Sequence, residues 1–305
     1  MKFNLKSGIL LIAQLIGLGL SLFICNLLSS GIVAVNLELP PVPAEMAAKV
    51  SLAWLGICFL NAAVMAYPIR RSHWHGWKLM GAVAVIYFGI TDFLSQIESL
   101  VFLKYLTHKM TAETIGWLLC RGTVTACLFA PLAVLVMGKM RPSGSAPFDN
   151  HNHKPIRLLM LWTDWLWKLG AIAVSYYIIY LSFGFLVAWR SPAVRAYYAG
   201  MSAPVWLIPL VQLGRGLIWA GLAVLVIKLM KGKWWESGLA VSLLFAVLMS
   251  SGLLLPYNPV MPEAVAAVHF RELFSSNFIF GALTVWVLNL GGRIRPVGVR
   301  SETVI

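Results

Sequence analysis

The chain has 305 residues, 60% hydrophobic and only 11% charged, with a mean hydropathy of +0.81. Soluble domains carry about 25% charged residues, so this composition excludes a soluble globular or disordered protein and defines an integral membrane protein. The net charge of +13 does not point to nucleic acid, because the basic residues sit in short connections between apolar runs, where membrane topology accounts for them.

Eight segments approach the ~20 residues that cross a bilayer: about 8–34, 47–68, 78–103, 114–138, 168–189, 205–229, 236–255 and 269–290. They predict an all-α fold, a polytopic integral membrane helical bundle of about eight transmembrane helices, with residues 1–305 forming a single transmembrane domain. The first segment comes after Met1 to Lys6, as in a signal sequence. It is far longer than a 7–15-residue h-region and ends at no small-residue cleavage site, so a retained span is expected. The triplet Leu22, Phe23, Ile24 before Cys25 is too bulky for lipoprotein-type processing. Cys25, Cys58, Cys120 and Cys127 all lie inside apolar segments without ligand spacing and read as small core residues.

Connections are short and often carry Pro or Gly, and the longest, about 139–156, holds His151-Asn152-His153. Lys and Arg alternate in abundance from one connection to the next. Fifteen fall on the side that holds the N-terminus, five on the opposite side, and Arg121, Lys168, Arg215 and Arg271 lie in or at the edge of spans. By the positive-inside rule both termini are cytoplasmic, in a cytoplasmic (plasma) membrane. Trp74, Trp77, Trp162, Trp165, Trp167, Trp234 and Trp235 cluster on the basic side and read as an interfacial belt.

The third segment is the least ordinary. After the apolar run from Leu79 to Ile90 it continues Thr91, Asp92, Phe93, Leu94, Ser95, Gln96, Ile97, Glu98, Ser99. At about 100° per residue, Thr91, Asp92, Ser95, Gln96, Glu98 and Ser99 fall within roughly a 160° arc. Two acids can pass through lipid only if that arc faces protein or water, so the other helices must line it.

A faint internal repeat joins this segment to the fifth. Trp77-Lys78-Leu79, Gly81-Ala82, Ala84-Val85 and Tyr87 recur as Trp167-Lys168-Leu169, Gly170-Ala171, Ala173-Val174 and Tyr176. The next span in each copy shares Arg121-Gly122 with Arg215-Gly216, and a second match between them needs a different offset. Both copies start on the basic side, which describes a parallel hairpin duplication. Leu181, Phe185 and Val187 stand where the first copy has Asp92, Gln96 and Glu98, so the acids belong to one copy and the arginine to both.

An arginine inside a span costs at least ~2.5 kcal/mol and needs a partner. Asp92, Glu98 and Glu272 are the acids at that depth. If Arg215 takes Glu98, Arg121 loses its nearest acid and is free for an anion, which its planar fork suits. In the last segment His269, Glu272 and Ser276 share a helix face, with Asn277 beside them. His269, Glu272 and Glu98 could act as metal ligands, but one histidine without an H-E-x-x-H pattern makes a weak set, and no metal is expected. No Gly-rich phosphate loop, Cys-x-x-Cys or nucleophile elbow appears, and no cofactor is expected. His73 and His75 lie among tryptophans at the basic interface, while His108, His151 and His153 read as solvated loop residues.

The expected site is a polar pocket in the outer half, lined by Glu98, Arg121, Arg215, Glu272 and Asn277, with Gln96 and Asp92 deeper. The function this suggests is binding or transport of a small anionic solute or lipid headgroup, with the bilayer as the only other partner. Two alternatives remain open. One is a membrane-embedded hydrolase or transferase on a lipid-linked substrate, with Glu98 or Glu272 as base assisted by His269. The other is an accessory subunit whose charges are structural. Apolar inner halves of the spans count against transport.

Overall fold

In hydrocarbon every backbone polar group must be satisfied within the chain, which leaves helices as the way through. The computed structural model describes residues 5–33, 41–102, 111–142, 156–158, 160–200, 204–258 and 261–296. It consists of α1 (Leu5–Val33), α2 (Ala44–Arg70), α3 (Gly76–Val101), α4 (Ala112–Val136), α5 (Trp162–Ala188), a short α6 (Pro192–Tyr197), α7 (Leu207–Leu229), α8 (Trp234–Leu254) and α9 (Glu263–Asn289). Strands β1 (Ile156–Leu158) and β2 (Ile294–Pro296) form one antiparallel pair, with Arg157 opposite Arg295.

Among the described residues seven helices, α1 to α5, α7 and α8, are long and apolar enough to cross a membrane. The chain is therefore an all-α polytopic membrane bundle. The eighth segment, α9, has the length, but Glu272, Asn277 and Asn289 interrupt its apolar run. It packs chiefly against α8, the most enclosed of the spans, with 67% of its apolar window buried. Elsewhere α1 packs on α2 and α4, α3 on α4, and α5 on α7.

The end of the bundle where α1 begins, here the near end, is tied together by the main chain. His73 N–H donates to the Leu229 carbonyl (3.0 Å), Lys231 N–H to Arg71 (2.8 Å), Ile156 N–H to Met230 (3.1 Å) and Gly76 N–H to Lys139 (2.9 Å). Arg71 pairs with Glu236, and Arg293 with Asp164 at 2.9 Å. The fifth span starts at Trp162 instead of 168, because Asp164 accepts the Leu161 N–H (3.3 Å) at the helix start. Lys168 then falls inside the bundle at 0% exposure. Its ammonium donates to the carbonyls of Leu288 (2.9 Å) and Leu290 (2.8 Å), which α9 leaves unpaired at its C-terminus.

The two Arg-Gly pairs have different surroundings. Arg215 lies 5.7 Å over the ring of Tyr176, and Arg121 lies within electrostatic reach of Tyr87 and Asp92. Gly216 admits close approach to α5, since a Cβ there would come 2.8 Å from Ala173 Cα; one on Gly122 would strike the Asp92 carboxylate.

Helix α9 meets α8 still more closely. A Cβ on Gly281 would lie 2.6 Å from Ser242 Cα and 2.9 Å from its backbone nitrogen, atoms that cannot rotate away. Gly281→Ala is expected to cost about 1–3 kcal/mol, the range for overpacking. Gly116→Ala, with nothing within 4 Å, is expected to leave stability unchanged or slightly raised. Thermal unfolding in detergent checks the pair.

Candidate functional site: a cavity between α3, α5, α7 and α9

The polar stretch of α3 is not one regular helix. Residues Gly89–Phe93 form a π turn, which adds a residue to one turn and disturbs the carbonyl ladder. Local hydroxyls take up the slack. Thr91 Oγ1 lies 2.8 Å from the Tyr87 carbonyl and 2.5 Å from Asp92 Oδ2, and Ser95 Oγ donates to Asp92 O (2.8 Å). The wide polar arc then straddles two interfaces. Asp92 turns toward α4, against Gly122 and near Arg121, whereas Glu98 turns toward α5 and α7.

Glu98 is the centre of the second interface. Its Oε2 receives Arg215 Nη1 at 2.5 Å, and its Oε1 accepts from Tyr180 OH (2.9 Å) and Gln212 Nε2 (3.1 Å). Arg215 Nη1 also donates to Gln212 Oε1 at 2.9 Å, across the i, i+3 spacing of α7. The arginine is 2% exposed and the glutamate side chain 31%, so the cation lies behind and the carboxylate faces open space.

A second chain of polar groups comes from α9. Glu272 Oε2 lies 2.7 Å from His269 Nδ1, and His269 Nε2 lies 3.2 Å from Tyr198 OH, at the end of α6. Burial, and then the neighbouring Tyr197, Glu98 and Glu272, raise the Tyr198 phenol well above its ordinary value, so it keeps its proton. His269 thus bridges the Tyr198 hydroxyl and the Glu272 carboxylate through its two ring nitrogens. Glu272 Oε1 has no hydrogen-bond partner among the described residues; Gly184, on the π turn Gly184–Ala188 of α5, leaves the space before it open, its absent Cβ 3.7 Å away.

Both chains border one cavity of about 460 Å³ at the far end of the bundle, within the size range of ligand sites. Ser95, Glu98, Tyr180, His269, Glu272 and Tyr198 are polar residues of its lining. The rest of the lining is mostly apolar. It includes Leu181 and Phe185 of α5 and Trp189 just after it, which are 44%, 70% and 45% exposed. Below, a small pocket holds Arg215, Glu272, Ser276 and Asn277 beside Tyr176. The rings of Tyr176, Trp219, Phe245 and Phe280 then pack together, with Tyr176 and Phe280 at 4.9 Å and Trp219 and Phe245 at 4.2 Å.

The residues singled out in the sequence thus divide. Glu98, Arg215, Glu272 and Asn277 meet at the cavity or the pocket beneath it. Asn277 donates to the Leu273 carbonyl of its own helix at 2.8 Å. Asp92 and Arg121 lie at the α3–α4 interface, and neither they nor Gln96 line the cavity. Among the described residues Arg121 and Arg215 each have a buried Nε without a partner, and Gln96 has a buried Oε1 without one. His269 bonds Glu272, but no group of three metal-ligating side chains occurs among the described residues. His108, His151 and His153 lie outside the described residues. Tyr180, Tyr198 and Gln212 were not picked out from sequence. Of these only Gln212, three residues before Arg215, carried a local signal. Comparison with family models, curated proteins and solved structures gives no match.

The unequal burial of Glu98 and Arg215 predicts unequal mutants. Glu98→Leu strands a buried guanidinium and is expected to cost about 3 kcal/mol, the low end for a buried pair because one partner is partly exposed. Arg215→Met leaves Glu98 with Tyr180, Gln212 and the cavity, and is expected to cost less. The double variant should be more stable than the summed losses imply, by about 1–2 kcal/mol. Additive losses in thermal unfolding would show that the two are not coupled.

Proposed function

We propose that this protein receives the polar head of an amphipathic, lipid-like molecule in the far-end cavity, reached sideways from the membrane. The observation that carries this reading is the cavity's mixed lining. Hydrogen-bonding groups share it with the large apolar side chains of Leu181, Phe185 and Trp189, which are themselves well exposed and would meet acyl chains in a membrane. A head entering there keeps its chain in hydrocarbon and loses none of the hydrophobic stabilisation of the bilayer. The aromatic cluster below and the tied near end favour holding over transport. The abundance of Lys and Arg on the near side supports a cytoplasmic near end in a plasma-type membrane, with the cavity in the outer leaflet. A small free anion fits this site less well than a lipid head, since Arg215 is spent on Glu98 and Arg121 is elsewhere.

Gly184→Phe, which projects a ring into the cavity beside Glu272, tests this. Native mass spectrometry of protein extracted gently from membranes should find lipid bound to wild type and at least about fivefold less on the variant. Equal occupancy would overturn the reading.

A second reading rests on the Tyr198–His269–Glu272 chain. A carboxylate holding Nδ1 of an imidazole whose Nε2 faces a hydroxyl is the arrangement of a general base, and it belongs to hydrolysis or group transfer on a lipid-linked substrate. Turnover of lipid-linked esters or phosphoesters by purified protein, lost by 10²-fold or more (roughly, for a removed acid–base group) in His269→Gln, would favour it over binding alone. Binding without turnover would rule it out.

A further inference from the structure

We propose that the head this cavity selects is an ammonium group, held by Glu272 and Glu98 among aromatic rings, with its alkyl chain running out along Leu181 and Phe185. This rests on the reading of the cavity as an amphipath site and names the chemistry it selects.

The charges at the cavity decide the class. Glu98, Glu272 and His269 line it, and Arg215 stands directly behind, nearly without exposure. Its Nη1 is engaged by Glu98 and Gln212, so the cation compensates a charge already present. Glu272 meets His269 through Oε2 alone, at 2.7 Å, and its other oxygen faces Gly184. A phosphate or carboxylate head would approach two glutamates, with no lysine or arginine among the described residues that line the cavity, in a setting where weak screening enlarges the repulsion. An ammonium head would neutralise the site.

Geometry agrees. Glu272 Oε1 makes no hydrogen bond among the described residues, and Gly184 keeps the approach to it clear. Phe102, Tyr180, Phe185, Trp189 and Tyr198 also line the cavity. Aromatic faces attract an alkylated or primary ammonium, more strongly where water is excluded, and they do nothing comparable for an anion.

The test uses six-carbon probes short enough not to act as detergents: hexylammonium, hexyltrimethylammonium, hexanol and hexyl phosphate, with tetramethylammonium as the chainless cation. Binding to purified protein in an uncharged detergent is followed by calorimetry and by the shift in unfolding temperature. The two hexylammonium probes are expected to bind at least about tenfold more tightly than hexyl phosphate, and more tightly than tetramethylammonium. Glu272→Gln should remove that preference while hexanol binds as before. Hexyl phosphate binding as well as or better than the amines would overturn the ammonium proposal and leave the amphipath site standing. Tetramethylammonium binding as tightly as its hexyl counterpart would overturn the chain-bearing ligand. Failure of every hexyl probe to bind wild type, with Gly184→Phe responding identically, would overturn both. Because these comparisons are made on wild type, they hold even where a Glu272 variant fails to fold.

Discussion

Arg215 lies eight residues into α7, about 12 Å along the helix, and almost none of it reaches solvent. A guanidinium there must be compensated by protein, and the acid that compensates it is Glu98 from α3. That pair draws in Gln212 from α7 and Tyr180 from α5. Three helices that would otherwise meet through apolar side chains are thereby held at one depth. Since Glu98 approaches Arg215 from the open side, the pair also leaves a carboxylate facing the cavity.

The two ends of the bundle are built differently. At the near end, hydrogen bonds from the main chain of Arg71, His73, Gly76, Met230 and Ile156 link successive connections, and Lys168 closes the last carbonyls of α9. At the far end the helices diverge around polar side chains instead. The close contact of α9 with α8 at Gly281 and the aromatic packing of Tyr176, Trp219, Phe245 and Phe280 separate the two. On the proposed reading, the packed aromatic layer closes the cavity below, and a ligand would enter from and return to the membrane.

The spans themselves were legible in the sequence because lipid demands ~20 apolar residues and interrupts them with basic connections. The departures from that pattern have tertiary causes. Trp162 to Lys168 has the composition of an interfacial stretch, yet it opens a helix with Asp164 accepting the Leu161 N–H at its start, and the buried Lys168 finds its acceptors at the end of α9, 120 residues away. The arc from Thr91 to Ser99 was recognisable as polar. An arc that wide touches two neighbours, however, and the π turn at Gly89–Phe93 rotates the helix beyond it. Asp92 and Arg121 therefore stand apart from Glu98. Helices apolar on nearly every face carry little signal for which side meets lipid, so the contribution of Tyr180 and Tyr198 emerged only from the assembled bundle. The similarity of Tyr87 with Arg121-Gly122 to Tyr176 with Arg215-Gly216 is one of sequence; in the structure Gly122 faces Asp92, whereas Gly216 faces Ala173 and Tyr176.

The central claim is that the Glu98–Arg215 pair frames a cavity that holds an amphipath by its head. The most direct measurement is an experimental density map of the protein in lipid nanodiscs whose only amine is a headgroup ammonium. The account predicts a continuous guanidinium–carboxylate feature between Arg215 and Glu98. It also predicts elongated density with its head at Glu272 and its tail along Leu181 and Phe185. A cavity holding only water, or an Arg215 side chain turned away from Glu98, would contradict it.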